Sequence, residues 1–249
     1  MSVEKIRVLR IINRFNLGGP TFNVAYLTKY MDDKFETLLL GGTKDETEAS
    51  SEFILDDLGI KPKVISEMKR AISFSSDYKS YKEIAKVIQE FKPHIVHTHA
   101  AKSGALGRLA AINNDVPIIL HTFHGHVFHS YFGEAKTLIY KSIERYLAKR
   151  STRIIAISQI QSDELSLIHK IADYSKVEIV HLGFDLSRFQ ENQSEKRNIF
   201  RDKYGLKDGE IAIGIIGRLV PIKNHKMFLD AVNPVFEQNP NTRFFVIGD

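Results

Sequence analysis

The chain of 249 residues contains no cysteine, which excludes disulfides and thiolate metal sites. No apolar run approaches the ~20 residues needed to span a bilayer. The opening MSVEKIRVLR lacks the apolar core, about 7–15 residues long, of a secretory signal. The expected location is the cytoplasm. Neither G-x-G-x-x-G nor a P-loop is present, so simple dinucleotide and P-loop readings lose ground. Lys and Arg outnumber Asp and Glu, giving a net charge of +5 and a pI of about 9.2. The basic residues are scattered, and no block of them carries interleaved aromatics. Nucleic acid is therefore a weaker partner for that surplus than anionic lipid or a phosphorylated small molecule.

What is present is alternation. Ile6 to Ile12 is a β-branched run, followed by Leu17-Gly18-Gly19-Pro20 and a helical pattern from Thr21 to Met31. Glycines before proline at a first helical position make a start signal. The cycle continues with a strand at 35–40, a helix at 46–58 and a strand at 63–65. An amphipathic helix at 77–91 carries Ile84, Val87, Ile88 and Phe91 on one side. Then come a strand at 95–98, a small-residue helix at 102–112, a strand at 117–120, a helix at about 135–149 and a strand at 153–157. A capped helix at 158–169 and a strand at 177–180 complete the series. Strands alternating with helices imply an α/β fold with a parallel sheet and right-handed crossovers.

Composition shifts at the polar, linker-like Gln190 to Lys196. A fresh cycle follows, with a short helix at 199–204, a strand at 211–216, a helix ending near 238 and a strand at 244–247. The expected domains are residues 1–190 and, as the incomplete first part of a second α/β domain, residues 191–249. A doubly wound domain rarely closes on two strands, because the outer one stays unpaired.

Seven of the ten histidines fall between His94 and His129. The stretch Val116 to Phe128, VPIILHTFHGHVF, turns abruptly from aliphatic residues to His121, Thr122, Phe123, His124, Gly125 and His126. The polar part is expected just past a buried central strand, at the edge where open α/β sheets bind ligands. His97 and His99 are two apart at another strand end and face one way if extended. Zinc needs three or four converging ligands; with no cysteine and few carboxylates nearby, no metal is expected. Most of these histidines can simply hydrogen-bond loop backbone, and His124 is the best candidate for touching a substrate.

Gly18 and Gly19 either hold an anion with free amides at a helix start or satisfy a tight turn. Arg218 and Lys223, on a turn after the strand at 211–216, can both reach one diphosphate. Their bland alternative is a solvated loop.

In this order the motifs resemble those of the retaining glycosyltransferases of family 4. They are Gly18-Gly19-Pro20; Ile95-Val96-His97-Thr98-His99; Thr122-Phe123-His124-Gly125; Ala156-Ile157-Ser158; and Val180-His181-Leu182-Gly183-Phe184-Asp185 with Arg188-Phe189. Gly217-Arg218-Leu219-Val220-Pro221-Ile222-Lys223 and Val246-Ile247-Gly248-Asp249 follow. The resemblance implies a GT-B fold, with two Rossmann-like domains facing a cleft. It implies transfer of a sugar, with retention, from a nucleotide-sugar donor to a glycan or lipid-linked acceptor, and no cofactor or metal. Arg218 and Lys223, with amides of Gly18 and Gly19, would hold the donor diphosphate. His124 would lie at the reaction centre as the catalytic residue. His99, Lys102, Thr122, Gly125 and His126 are acceptor-side or sugar-side candidates. The family's later Glu-x7-Glu segment has no counterpart before Asp249, so the 249-residue chain alone is expected to be weak or inactive.

Two rivals share parts of this pattern. A nucleotide-sugar 2-epimerase uses the same architecture but needs carboxylate and histidine acid/base groups, and no carboxylate trio stands at the strand ends. A non-catalytic acceptor-binding half of a heteromer is the other. Tyr140, Lys141, Arg145, Lys149 and Arg150 form a basic helix face suited to peripheral contact with the inner membrane surface.

Overall fold

Odd and even positions of the first strand, β1 (Ile6–Arg14), meet different layers. Leu9 and Ile11 join a core with Ile84, Val87, Ile88, Ala110 and Ala111. Ile12 joins another with Val24, Ala25, Leu39, Ile54 and Leu55. A strand buried on both faces needs a nearly continuous apolar run, and IRVLRII supplies one. The computed structural model describes residues 4–125 and 134–248, with the side chains of 134–136 left out.

The first unit, Met1–Asp185, is a seven-stranded sheet. Its strands are β1, β2 (Phe35–Gly42), β3 (Lys63–Ile65), β4 (Ile95–His99), β5 (Ile118–Thr122), β6 (Arg153–Ala156) and β7 (Val177–Ile179). Their spatial order is β3-β2-β1-β4-β5-β6-β7, and every neighbouring pair is parallel. The helices are α1 (Gly19–Lys29), α2 (Glu52–Asp57), α3 (Phe74–Phe91), α4 (Ala101–Asn113), α5 (Glu134–Arg150) and α6 (Gln159–Asp163). Ile84, Val87 and Ile88 of α3 are buried as their spacing requires, each worth about 1.5–3 kcal/mol of apolar transfer.

Helix α4 packs closely because it is built of small residues. A β-carbon on Gly107 would stand 2.7 Å from Thr98 Cγ2, and one on Gly104 would enter the His121 ring. Arg108, fully buried on α4, pairs with Glu144 of α5 at 2.6 Å and donates to the Gly104 carbonyl.

Four local expectations change. His121 and Thr122 lie inside β5, not past it, because both are in register with β4 and β6 and both are buried. The helix expected at 46–58 is only α2; Glu48 is drawn instead to the end of β1, where Arg14 holds it with two bonds of 2.5 Å. The helix expected at 158–169 opens after α6 into a wider π-turn, Glu164–Ile168, although Ser158 caps it by accepting from Gln161 N–H. The polar stretch at 190–196 is largely helical: α7 (Ser187–Gln190) is followed by α8 (Gln193–Lys203), whose polarity marks a solvated face.

The second unit, Leu186–Asp249, contains α7, α8, β8 (Ile211–Ile216), α9 (His225–Gln238) and β9 (Thr242–Ile247). β8 and β9 form a parallel pair. Phe200 and Tyr204 of the α8 end each meet Phe245 of β9 edge-on, with ring centroids 5.2 and 5.5 Å away. Gly248 has to be glycine, since a β-carbon there would overlap the Gly217 carbonyl.

Candidate functional site

From β1 the chain winds outward one way through β2 and β3, then returns to the other side of β1 at β4. That reversal is a topological switch point, and it opens a crevice at the carboxyl ends of β1 and β4. Gly18 and Gly19 follow β1, His99 ends β4, and Thr122 stands beside His99 on β5. His124 lies two residues farther on.

Gly18 is extended, with φ of 170°, so no turn demands glycine there. A β-carbon on Gly19 would meet nothing, and one on Gly18 only Pro20. Thr21 and Phe22 N–H both turn back to the Gly18 carbonyl. Among the described residues no acceptor takes the Gly18 or Gly19 amides, which face the open start of α1. Such a helix start favours an anion.

The polar residues of β4 and β5 are sorted by face. On the α4 side, Thr98 Oγ1 is 2.8 Å from His121 Nδ1. On the α1 side, His97 lies between Arg10 and Thr122, with Arg10 Nη1 at 3.2 Å and Thr122 Oγ1 at 2.8 Å. The His97 and His99 ring centroids are 4.2 Å apart, and His99 Nδ1 bonds His124 Nε2 at 2.9 Å. Burial drives the basicity of His97, His99 and His121 well below the ordinary histidine value, with nearby Arg10, Arg108 and the other rings adding to it. Burial also lowers His124 to about 4. These rings are neutral at physiological pH. Arg10, pushed down to about 10 by burial, stays charged.

Ala100, the junction of β4 and α4, has φ of 65° and ψ of 162°. That region is nearly exclusive to glycine and costs a side-chain-bearing residue about 1–3 kcal/mol. The strain sits immediately after His99, and Ser103 Oγ donates to the His99 carbonyl one turn later.

Lys102 points away from the histidines. Its ammonium pairs with Asp77 and donates to the Lys69 and Ala71 carbonyls at 2.9 and 2.5 Å, tying the 69–71 loop to α3 and α4. Gly125 has φ of 155°, is exposed, and a β-carbon there would touch nothing. His126 lies outside the described residues. Among the described residues no group of three or more His, Asp or Glu side chains could hold a metal ion.

In the second unit, Arg218 follows β8 and Lys223 is the last residue of the short 3-10 turn Pro221–Lys223. The Lys223 methylenes run within 3.5–3.6 Å of where a Gly217 β-carbon would be. His225 bonds the Arg218 carbonyl at 3.0 Å, and Asn224 caps α9 by accepting from Met227 N–H. Among the described residues neither cation has a carboxylate partner.

Arg10, Asp77 and Ala100 escaped the sequence reading. Arg10 left a trace there, a cation inside an otherwise aliphatic run destined for burial. Asp77 and Ala100 left none, because their partners and dihedral angles are set by distant chain.

The family model of Glycosyltransferase Family 4 matches residues 17–188. The UDP-Gal:alpha-D-GlcNAc-diphosphoundecaprenol alpha-1,3-galactosyltransferase of Escherichia coli is 33% identical over 197 residues, which are 78% of this chain and 50% of that protein. The capsular polysaccharide biosynthesis glycosyltransferase CapM of Staphylococcus aureus is 29% identical over 73% of this chain and 47% of its own length. This chain spans about half the length of these relatives. Among solved structures, a glycosyltransferase from Rickettsia africae superimposes with a TM-score of 0.65 at 18% identity, over 99% of this chain and 69% of that one. UDP-GlcNAc 2-epimerase from Neisseria meningitidis does so with a TM-score of 0.60 at 14% identity, over 96% and 65%. At these identities the likeness is one of fold, the GT-B architecture.

Proposed function

The chain belongs to glycosyltransferase family 4, and from that premise we propose that it serves transfer of a sugar, with retention, from a nucleotide-sugar donor to a glycan or lipid-linked acceptor. The observation that carries this reading is the switch-point crevice, with unencumbered amides on one wall and neutral, aimed imidazoles on the other. His124 is assigned to the sugar at the reaction centre. Thr122, His99 and Gly125 line the same edge and are assigned to sugar or acceptor. Lys102 is assigned to hold that edge's neighbouring loop.

Arg218 and Lys223 are assigned to the donor diphosphate, as are the Gly18 and Gly19 amides. Cations and amides at a departing diphosphate do the electrostatic work that speeds such a reaction. No carboxylate perturbs His124, which suits a mechanism where the leaving diphosphate itself takes the acceptor proton. No metal or cofactor is part of this reading.

A lipid-linked acceptor gives α5 a use. Leu138, Ile139, Ile143 and Tyr146 are exposed on it, and Arg150 lies 3.9 Å over the Tyr146 ring. Glu144 is turned inward onto Arg108, while Lys149 and Arg150 face out. Arg145 is already engaged, donating to the carbonyls of His169 and Lys170 at 2.9 Å. We assign this face to an anionic membrane surface. If vesicles rich in phosphatidylglycerol fail to sediment the protein at low salt, that assignment falls.

The reaction is tested by incubating the protein with a panel of nucleotide sugars, with and without a polyprenyl-diphosphate-linked sugar. Consumption of donor only when acceptor is present, even at a low rate, with the anomeric configuration kept, is expected. Conversion of donor alone would make it an epimerase instead.

A further inference from the structure

The hydrogen bonds at this strand edge have a direction that can be worked out from donor chemistry. An arginine only donates, so His97 Nδ1 accepts from Arg10 Nη1 at 3.2 Å. The proton of neutral His97 therefore sits on Nε2 and is donated to Thr122 Oγ1 at 2.8 Å. Thr122 accepts there and keeps its own hydroxyl proton for another partner.

The His99–His124 pair yields to the same logic. Their facing nitrogens are 2.9 Å apart, with ring planes 24° apart and centroids at 5.2 Å. Rings at that spacing lie side by side, sharing one bond near both planes. The other nitrogen of His99, Nε2, is buried and has no partner among the described residues. Were His124 the donor, neutral His99 would have to keep its proton on that orphan nitrogen. A buried N–H without an acceptor is the rarer and costlier defect; an unshared lone pair is tolerated better. Doubly protonated His99 is ruled out by its surroundings, since Arg10 of β1, His97 of β4, His121 of β5 and His124 all oppose a further charge.

We propose that His99 is a positioning residue: it donates Nδ1–H to His124 Nε2, so that His124 carries its own proton on Nδ1 and offers a donor, not a base, to whatever binds at the crevice. The two relays, Arg10 to His97 to Thr122 and His99 to His124, then run the same way. Both end in a spare proton at the carboxyl edge of the sheet. Such an edge recognises electron-rich oxygens, as in sugar hydroxyls or phosphate. That consequence rests on the crevice binding a sugar, as proposed above; the tautomer itself does not.

Uniform 15N labelling of histidine and long-range proton–nitrogen correlation spectra at pH 7.5 test it without any substrate. Spectra of His124→Gln and His97→Gln serve for assignment. The expected result is a proton on Nε2 of His97 and on Nδ1 of both His99 and His124, with His124 unmoved between pH 8 and 5.5. A His124 protonated on Nε2, or cationic at neutral pH, would overturn the proposal. His99→Asn, whose amide can still donate from the Nδ1 place, should leave the His124 tautomer unchanged. His99→Asp, an acceptor only, should move the proton to Nε2; an unchanged tautomer there would also count against it. Should either variant fail to fold, the wild-type spectrum decides. Protons found as stated in a protein that binds no nucleotide sugar would leave this inference standing and remove the functional one.

Discussion

The ring of His121 occupies the space a β-carbon on Gly104 would need. Helix α4 can therefore lie this close to β5 only while residue 104 has no side chain. Gly104→Ala should cost about 1–3 kcal/mol through overpacking, read as a lower urea midpoint, and should displace His121 from Thr98. Gly19→Ala, where a β-carbon meets nothing, should leave the midpoint nearly unchanged. Equal effects at the two positions would contradict this packing account.

Arg108 and Glu144 form a buried pair at 2.6 Å. Glu144→Leu strands a buried cation and should cost about 3–5 kcal/mol, whereas the double change Arg108→Met with Glu144→Leu should recover much of it. A double variant as unstable as the single one would show that the pair itself, not the orphaned charge, sets the cost.

Lys102 holds Asp77 and two carbonyls of the 69–71 loop. Lys102→Met should free that loop, lowering stability by about 1–3 kcal/mol because charged hydrogen bonds are lost. Amide exchange around Lys69 to Ala71 should rise, with no change near His124. Unchanged exchange at the loop would refute the clamp.

The buried histidines make the fold acid-sensitive. His97, His99, His121 and His124 all have folded pKa values below the unfolded value of 6.5. Between those values the unfolded chain binds more protons, so stability is full above about pH 6.5 and falls as the pH drops. Each group contributes up to roughly a tenfold change in the folding equilibrium per pH unit. Urea midpoints should drop steeply from pH 7 to 5, before carboxylates titrate. A flat profile over that range would contradict the neutral buried rings.

The layered fold was legible because β1 carries apolar residues on both faces and α3 repeats its apolar side every turn. Those are local patterns. The candidate edge was found from the same strands, yet His121 and Thr122 read as loop because polar residues after an aliphatic run usually end a strand. What keeps them inside is cross-strand pairing with Thr98 and His97, more than twenty positions earlier. Arg10 is satisfied by His97, 87 positions away, and Lys102 by a loop before α3. Such partners cannot be seen from spacing along the chain.

Calorimetric titration of UDP- and GDP-sugars into the protein, beside the Arg218→Ala, Lys223→Ala double variant, tests the sugar-transfer account most directly. The account predicts saturable binding of at least one nucleotide sugar by the wild type. It also predicts roughly a hundredfold weaker binding in the double variant, as expected when charge-assisted contacts worth about 1.5–3 kcal/mol are lost. A chain that binds a polyprenyl-linked sugar and ignores every nucleotide sugar, or a double variant that binds as well as wild type, would contradict it.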